Sequence, residues 1–392
     1  MVVRAASDSL DEGARQRIRP TRAEIDLDAV VHNVDRLASR LSPPTGLIAV
    51  VKADAYGHGA VPVARALVRS GKVRALAVSL VEEGLELRAA GVSGPILVLG
   101  GAFGRAHREA LAKDLTPVVS EAGDVRAFAA AAAALGVPAR LHVKVDTGMS
   151  RLGARPSQLP ALLEVCRETG IVLEGLCSHF ACADVPTEAG RAATLAQLHR
   201  FAEVRRVVEG YGFKPPVLHL ANSGGLLRFP EAHLDAVRPG LALYGGAAAL
   251  APDLGLRPAM RFVTEVVQLR TLDAGDGVSY GALWQAPATA RVATLPVGYA
   301  DGYPRRLSNN AEVLIHGRRC PVVGAVCMDL TIVDATALGE AVRLGDEVVL
   351  LGTQGGEEVS AFELAQRAGL IEYEILCAVS KRVPRVYAGG RS

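Results

Sequence analysis

LIAVVKADAYGHG, residues 47–59, decides how the chain is read. A short apolar run, dense enough for a strand buried on both faces, ends on Lys52. Tyr56 follows, and then His58 between Gly57 and Gly59. A strand that delivers an amine to a glycine-rich turn is the opening of a βα unit with a reactive end. The same alternation recurs downstream. Strand candidates rich in Val, Ile and Leu stand at 47–51, 74–80, 95–100, 115–120, 140–146, 173–179, 216–222 and 235–245. Helical patterns lie between them: Val61, Ala64, Leu67 and Val68 share one face, Leu85 and Ala89 mark a weaker stripe, and 193–212 is long and amphipathic. The alanine-rich segment 124–136 ends on a glycine cap. Strands alternating with helices predict parallel βαβ units. Eight of them predict an α/β fold of the (β/α)8 TIM type, spanning residues 21–255. An open doubly wound sheet would carry a GxGxxG turn after its first strand, and none is present there.

Near residue 250 the pattern changes. Segments 262–272, 290–299, 311–317, 321–326, 329–334 and 346–352 read as strands joined by short turns such as GRRC at 317–320. The next helical pattern is 360–369. This predicts a mainly antiparallel C-terminal β-domain over 256–392, with the joint at 247–255.

The 392 residues are half apolar and carry a net charge of +2, with acids and bases interspersed. That balance excludes a polyanion-binding role with nucleic acid or an anionic membrane as partner. No apolar run reaches the ~18 residues of a membrane span. Residues 1–20 are rich in charge and lack an apolar h-region; they read as a disordered extension rather than a secretory signal. The six cysteines form no CxxC pair and fit free thiols in a reducing compartment, which places the chain in the cytoplasm.

In a barrel of this kind the loops after the strands form the reactive face. The polar residues collect there. The first strand ends at Lys52 and Tyr56, the fifth at Lys144, Asp146 and Arg151, and the sixth at His179. The seventh ends at Asn222, Ser223 and Gly224, and the eighth at Arg238 and Gly240. Each has an ordinary reading by itself: a solvated cation, a core histidine, a plain turn. Together they describe a lysine desolvated enough to attack a carbonyl, and glycine-rich backbone at Ser223, Gly224, Gly225 and Gly240 able to cradle a phosphate. A carbonyl and a phosphate on one small molecule describe pyridoxal phosphate. Cys177, His179 and Cys182 have no standard zinc spacing and no second ligand pair, so no metal is expected. His58 reads as a turn residue.

At this point the chain resembles the alanine racemase family. The resemblance runs from 23–33 to 373–385 and is carried by VVKADAYGHG (50–59), KVDTGMSRLG (144–153), SHFACAD (178–184), ANSGG (221–225), VRPGLALYG (237–245), VSYGALW (278–284), PVGYADGYPR (296–305) and CMDL (327–330). It implies that Lys52 holds pyridoxal phosphate covalently and serves as one catalytic base, with Tyr280 as the second. It implies a phosphate cradle of Tyr56, Ser223, Gly240 and Tyr373, beside Asn222, with Arg238 at the pyridine nitrogen and His179 along the ring. Arg151, Met328 and Asp329 correspond to substrate-pocket positions, and Lys144 to a lysine that the family often carbamylates. The expected activity is interconversion of L- and D-alanine by two bases, supplying D-alanine for peptidoglycan. The expected assembly is a homodimer with shared active sites.

Leu330 replaces a glutamine common in the family, and Ser150 stands at a variable position. The alternatives are a serine or broad-specificity racemase, a barrel decarboxylase of basic amino acids, and a non-catalytic pyridoxal phosphate carrier. The decarboxylase would need a different phosphate loop and a cysteine-bearing motif; the carrier would have no use for Tyr280.

Overall fold

A computed structural model describes residues 18–390. These fall into two compact units. One is Leu27–Ala259 with residues 389–390, and the other is Met260–Ala388 with residues 18–26. Most of the expected N-terminal extension lies outside the described residues.

The first unit is a closed barrel of eight parallel strands: Gly46–Val50, Ala75–Val78, Ile96–Val98, Thr116–Val119, Arg140–Lys144, Val172–Cys177, Val217–His219 and Ala236–Val237. The first closes on the last, with Gly46 opposite Ala236 and Leu47 opposite Val237. Ile48, Ala49, Leu76, Ala77, Leu97, Val118, Val143 and Leu176 are all buried, as continuously apolar parallel strands require. Helices fill the intervals, among them Ala60–Arg69, Val81–Ala89, Ala122–Leu135, Leu159–Thr169 and Glu188–Gly210. Gly136 caps its helix at φ 68°, as its position in the sequence predicts.

The last two strands are shorter than their apolar runs. Pro239 has no N–H to donate, Gly240 turns at φ −121° and ψ −87°, and Leu241–Tyr244 becomes a 3-10 turn. Leu220 and Ala221 are buried without being strand, so burial and not pairing explains their apolarity.

The second unit is mainly antiparallel. Its largest sheet runs Arg318–Pro321, Glu312–Ile315, Glu347–Gln354, Met260–Glu265, Arg22–Asp26 and Arg385–Ala388, with Glu357–Val359 beside Glu347–Gln354. Arg22–Asp26 is a correction to the expected boundary. It leaves the barrel assignment because Ala23 and Ile25 bury one face while its edges pair with Met260–Glu265 and Arg385–Ala388. GRRC is not a turn alone: Arg318–Pro321 is a strand, and Arg319 is held on it by Glu312 and Glu363. Beyond Pro321, residues 322–326 are loop with one bridge, Val322 to Val333. A second sheet joins Gln268–Leu272, Ala290–Leu295 and Thr331–Asp334. A ribbon of Gly277–Val278 and Trp284–Gln285 rests on a cluster of Val278, Val292 and Val323.

Among the described residues, no helix is long and apolar enough to cross a membrane. None of their His, Cys, Asp and Glu side chains form a metal-binding group of three or more.

Candidate active site

Lys52 lies one residue past Val51, just beyond the first barrel strand, and is half-buried. The chain then makes a left-handed turn: Ala53, Asp54, Ala55 and Tyr56 have φ of 52°, 54°, 52° and 56°. Such a run costs an L-peptide ~1–2 kcal/mol per residue and persists only when its surroundings hold it. Glu83 accepts the Ala53 N–H at 2.6 Å, and Asp54 Oδ1 accepts the Ala60 N–H at 2.6 Å. The amine of Lys52 is thereby carried on a rigid corner rather than a free loop.

That corner opens on a cavity of about 280 Å³ lined by Lys52, Lys144, Arg151, His179, Arg238 and Cys177, among others. Among the described residues, no carboxylate lines it. Burial pushes the Lys144 ammonium below its ordinary pKa; Cys177 opposes this, while Arg238, Arg151 and Lys52 add to it. Burial, then Arg238, Lys144, Arg151 and Lys52, holds His179 well below the usual imidazole value, so its ring is neutral. Asp146 lies outside the lining. Its partial burial raises the carboxyl pKa, but N–H donors from Gly148, Ser150 and Met149 outweigh that and leave it lowered. It shapes the turn that presents Arg151.

Arg238 is the most constrained cation. It is buried, and it donates to Ser178 O at 2.8 Å, His179 Nδ1 at 3.1 Å, Leu220 O at 3.2 Å and His219 Nδ1 at 2.7 Å. Gln197, buried on helix Glu188–Gly210, donates to His179 O at 2.9 Å and accepts the Ala181 N–H at 2.9 Å. Gln197 thus fixes the backbone that carries His179.

Tyr56, Ser223 and Gly240 come together. Tyr56 is buried, and a Cβ on Gly240 would stand 2.3 Å from its Oη. Ser223 Oγ accepts the Gly240 N–H at 3.0 Å and the Ala242 N–H at 3.3 Å. Asn222 caps helix Ser223–Arg228 by accepting the Gly225 N–H at 2.9 Å. Two of the glycine N–H groups expected to face a phosphate are therefore engaged with side chains. Asn222 acts here as a cap that positions Ser223.

Tyr280, Met328, Asp329 and Tyr373 belong to the second unit. Tyr280 is 74% exposed at the tip of the small ribbon. Its predecessor Ser279 has φ 63° and is pinned by a hydrogen bond to Ala325 O at 2.8 Å. Met328 and Asp329 form the turn closed by the Cys327 N–H to Leu330 O bond. Tyr299 and Ala300 N–H groups hold the Cys327 and Met328 carbonyls at 3.0 and 3.1 Å. Arg382 donates to Asp329 at 2.7 Å and lies 3.4 Å from Asp301, a fully buried carboxylate that Arg19 also pairs at 2.8 Å. Tyr373 lies on helix Glu372–Ala378 and is exposed.

Glu83, Gln197, His142, His219 and Asp301 were not singled out by sequence. The glycine at mid-strand position 175 was the one available signal for His142. A Cβ there would meet its ring at 2.2 Å.

Two family models match the chain: alanine racemase, N-terminal domain, over residues 25–248, and alanine racemase, C-terminal domain, over 259–387. The alanine racemase of Sorangium cellulosum is 45% identical, over 94% of this chain and 99% of its own length. The solved alanine racemase of Streptomyces lavendulae superposes with a TM-score of 0.89 at 40% identity, covering 95% of this chain and 97% of that one. That of Bartonella henselae, with covalently bound pyridoxal phosphate, superposes at 0.83 with 31% identity, covering 94% and 99%. Matched along both units by sequence and by structure, the chain belongs to the alanine racemase family.

Proposed function

We propose that the chain interconverts L-alanine and D-alanine, using pyridoxal phosphate held at Lys52. One observation carries this reading: Lys52, Lys144, Arg151, His179 and Arg238 converge on one cavity of about 280 Å³ with no carboxylate among its described lining residues. Such a site suits a small, anionic carbonyl compound. The concave corner of Tyr56, Ser223 and Gly240, where a Cβ would not fit, suits its phosphate. The pyridoxal phosphate bound in the Bartonella protein supports the same assignment.

When bound, pyridoxal phosphate is the electron sink that makes the Cα proton of a linked amino acid acidic. The rest falls to the chain. Lys52 Nζ accepts or returns that proton on one face, and the phenolic oxygen of Tyr280 does so on the other. Arg238 can only donate, so it favours an unprotonated ring nitrogen and a shallow sink, which limits side reactions. Arg151, with Met328 and Asp329, orients the substrate carboxylate. Tyr373 closes the phosphate end. Lys144, shifted toward its neutral amine, is a candidate for carbamylation, which would give Arg151 an anionic partner.

The exposure of Tyr280 and Met328, 74% and 52%, supports a homodimer in which each chain completes the other's site. All six cysteines are free thiols, which suits the cytoplasm, where D-alanine would feed peptidoglycan. Chiral chromatography after incubating the chain and pyridoxal phosphate with L-alanine tests the activity. D-alanine should form, with L-serine converted more slowly, and Lys52→Ala should form none. A wild-type chain that turns over neither amino acid, or a Lys52→Ala chain that keeps full rate, overturns the reading.

A further inference from the structure

Behind Arg238, on the side away from the cavity, two histidines stand in line inside the barrel. Arg238 Nη1 meets His219 Nδ1 at 2.7 Å, and His219 Nε2 meets His142 Nδ1 at 2.8 Å. Both rings are buried, at 0% and 3% exposure, on the two barrel strands that flank Val172–Cys177. We propose that His219 and His142 are positioning residues for Arg238, acting as a one-directional hydrogen-bond relay whose tautomers are set by the guanidinium.

The assignment follows from donor counting. A guanidinium donates and never accepts. His219 Nδ1 must therefore be the bare, accepting nitrogen. A neutral imidazole bare at Nδ1 carries its proton on Nε2, and that N–H points at His142 Nδ1. His142 Nδ1 must accept in turn, so the proton of His142 is also on Nε2. No other arrangement of neutral rings satisfies both contacts. Charged rings fail too, because a protonated His219 would aim an N–H at a guanidinium N–H. Burial comes first in keeping both rings neutral, with Arg238 and Arg74 adding to it at both; His142 and Lys144 also oppose a charge on His219.

The sheet is built to admit the pair. Gly175 lies in the neighbouring strand, paired with His142, and a Cβ on it would stand 2.2 Å from His142 Nδ1, the accepting atom itself. Any side chain at 175 would push the ring out of line. The consequence reaches the cavity. Without an acceptor at His142, the His219 Nε2–H is left buried and unsatisfied, and the other tautomer becomes competitive. That tautomer turns a donor toward Arg238 Nη1 and displaces the group that faces the cavity.

The link to catalysis rests on reading Arg238 as the residue at the cofactor's ring nitrogen; the tautomers do not. They are read in the cofactor-free full-length chain labelled with ¹⁵N-histidine, from two-bond ¹H–¹⁵N correlations. His219 and His142 should each appear protonated on Nε2 alone, with no titration between about pH 6 and 8. A proton on Nδ1 of His219, or a charged ring at pH 7, overturns the relay.

The functional arm compares His142→Leu with His142→Asn, whose Oδ1 can still accept. With pyridoxal phosphate bound, His142→Leu should lower kcat roughly tenfold with KM changed less than about twofold, and His142→Asn should restore most of it. Equal rates for the two variants overturn the positioning role. Correct tautomers with equal rates would mean that the relay exists and Arg238 lacks the assigned role. If His142→Leu does not fold, the wild-type tautomers alone decide.

Discussion

Ala53 and Glu83, thirty residues apart in sequence, are joined by a 2.6 Å hydrogen bond from the Ala53 N–H to Glu83 Oε1. The other oxygen of the same carboxylate accepts the Ser79 and Leu80 N–H groups at 2.7 and 3.0 Å. One anion thus ties the turn after Lys52 to the start of helix Val81–Ala89. A glutamine keeps one accepting oxygen and turns an NH2 toward the remaining donors. Glu83→Gln is expected to cost about 1–3 kcal/mol in urea unfolding and to slow reaction of pyridoxal phosphate with Lys52. A variant with unchanged unfolding midpoint and unchanged labelling rate would show that the left-handed turn is held by its other bonds.

Gly240 is packed against the Tyr56 hydroxyl. Its φ of −121° is open to any residue, but a Cβ would meet Tyr56 Oη at 2.3 Å and Cζ at 3.0 Å. Gly240→Ala is expected to lose about 1–3 kcal/mol to overpacking and to weaken pyridoxal phosphate binding at least tenfold in equilibrium dialysis. Adding Tyr56→Phe removes the closer contact and should recover part of the stability. Additive losses in the double variant would refute the steric account.

The barrel was legible because parallel strands buried on both faces leave uninterrupted Val, Ile and Leu runs. Its reactive end was legible because those runs stop on polar residues. The left-handed turn was not. Lys52 to Tyr56 contains no glycine to announce a positive φ; its handedness is held by contacts such as Glu83. Arg22–Asp26 was misplaced because its neighbours in the sheet, Met260–Glu265 and Arg385–Ala388, lie at the far end of the chain. His142 and His219 sit within strands and were not singled out; only their distances reveal a pair.

Acid should destabilise the cofactor-free chain through three histidines. His142 is held down to about 3, mainly by burial and then by Arg238, and His179 and His219 lie well below 6.5. The unfolded rings titrate near 6.5, so below that pH the unfolded state binds more protons than the native one. Stability is therefore full above about pH 6.5 and falls as pH drops toward 3. His142 contributes on the order of 1.4 kcal/mol per pH unit within that window, and His179 and His219 act in the same direction. Urea unfolding from pH 7.5 to 4.5 should show this slope, and His142→Asn should flatten it by one proton. A slope unchanged by the substitution would mean that His142 is charged in the native state.

Asp301 anchors the turn that carries Asp329. It is fully buried, accepts the Gly298 N–H at 3.1 Å, and faces Arg19 at 2.8 Å and Arg382 at 3.4 Å. Asp301→Asn leaves the two arginines facing a neutral amide, and breaking a buried pair this way typically costs ~3–5 kcal/mol. These arginines are partly exposed, so the expected loss is smaller, about 2 kcal/mol. Thermal unfolding measures it, and a Tm within a degree of wild type would place the anchor elsewhere.

The strongest test of the proposed dimer uses two inactive chains. Lys52→Ala removes the proposed base in the barrel unit, and Tyr280→Phe removes the proposed base in the other unit. If each site takes Lys52 from one protomer and Tyr280 from its partner, a mixed dimer contains one doubly defective site and one intact site. Random exchange of equal amounts makes about half the dimers mixed, and half of their sites are intact, so about a quarter of wild-type activity should return. If both bases came from the same chain, mixing would restore nothing, because every site would still lack one of them. The exchange must be verified independently, by mass spectrometry of a tagged and an untagged chain. Mixed dimers with no racemase activity would locate both bases within one chain.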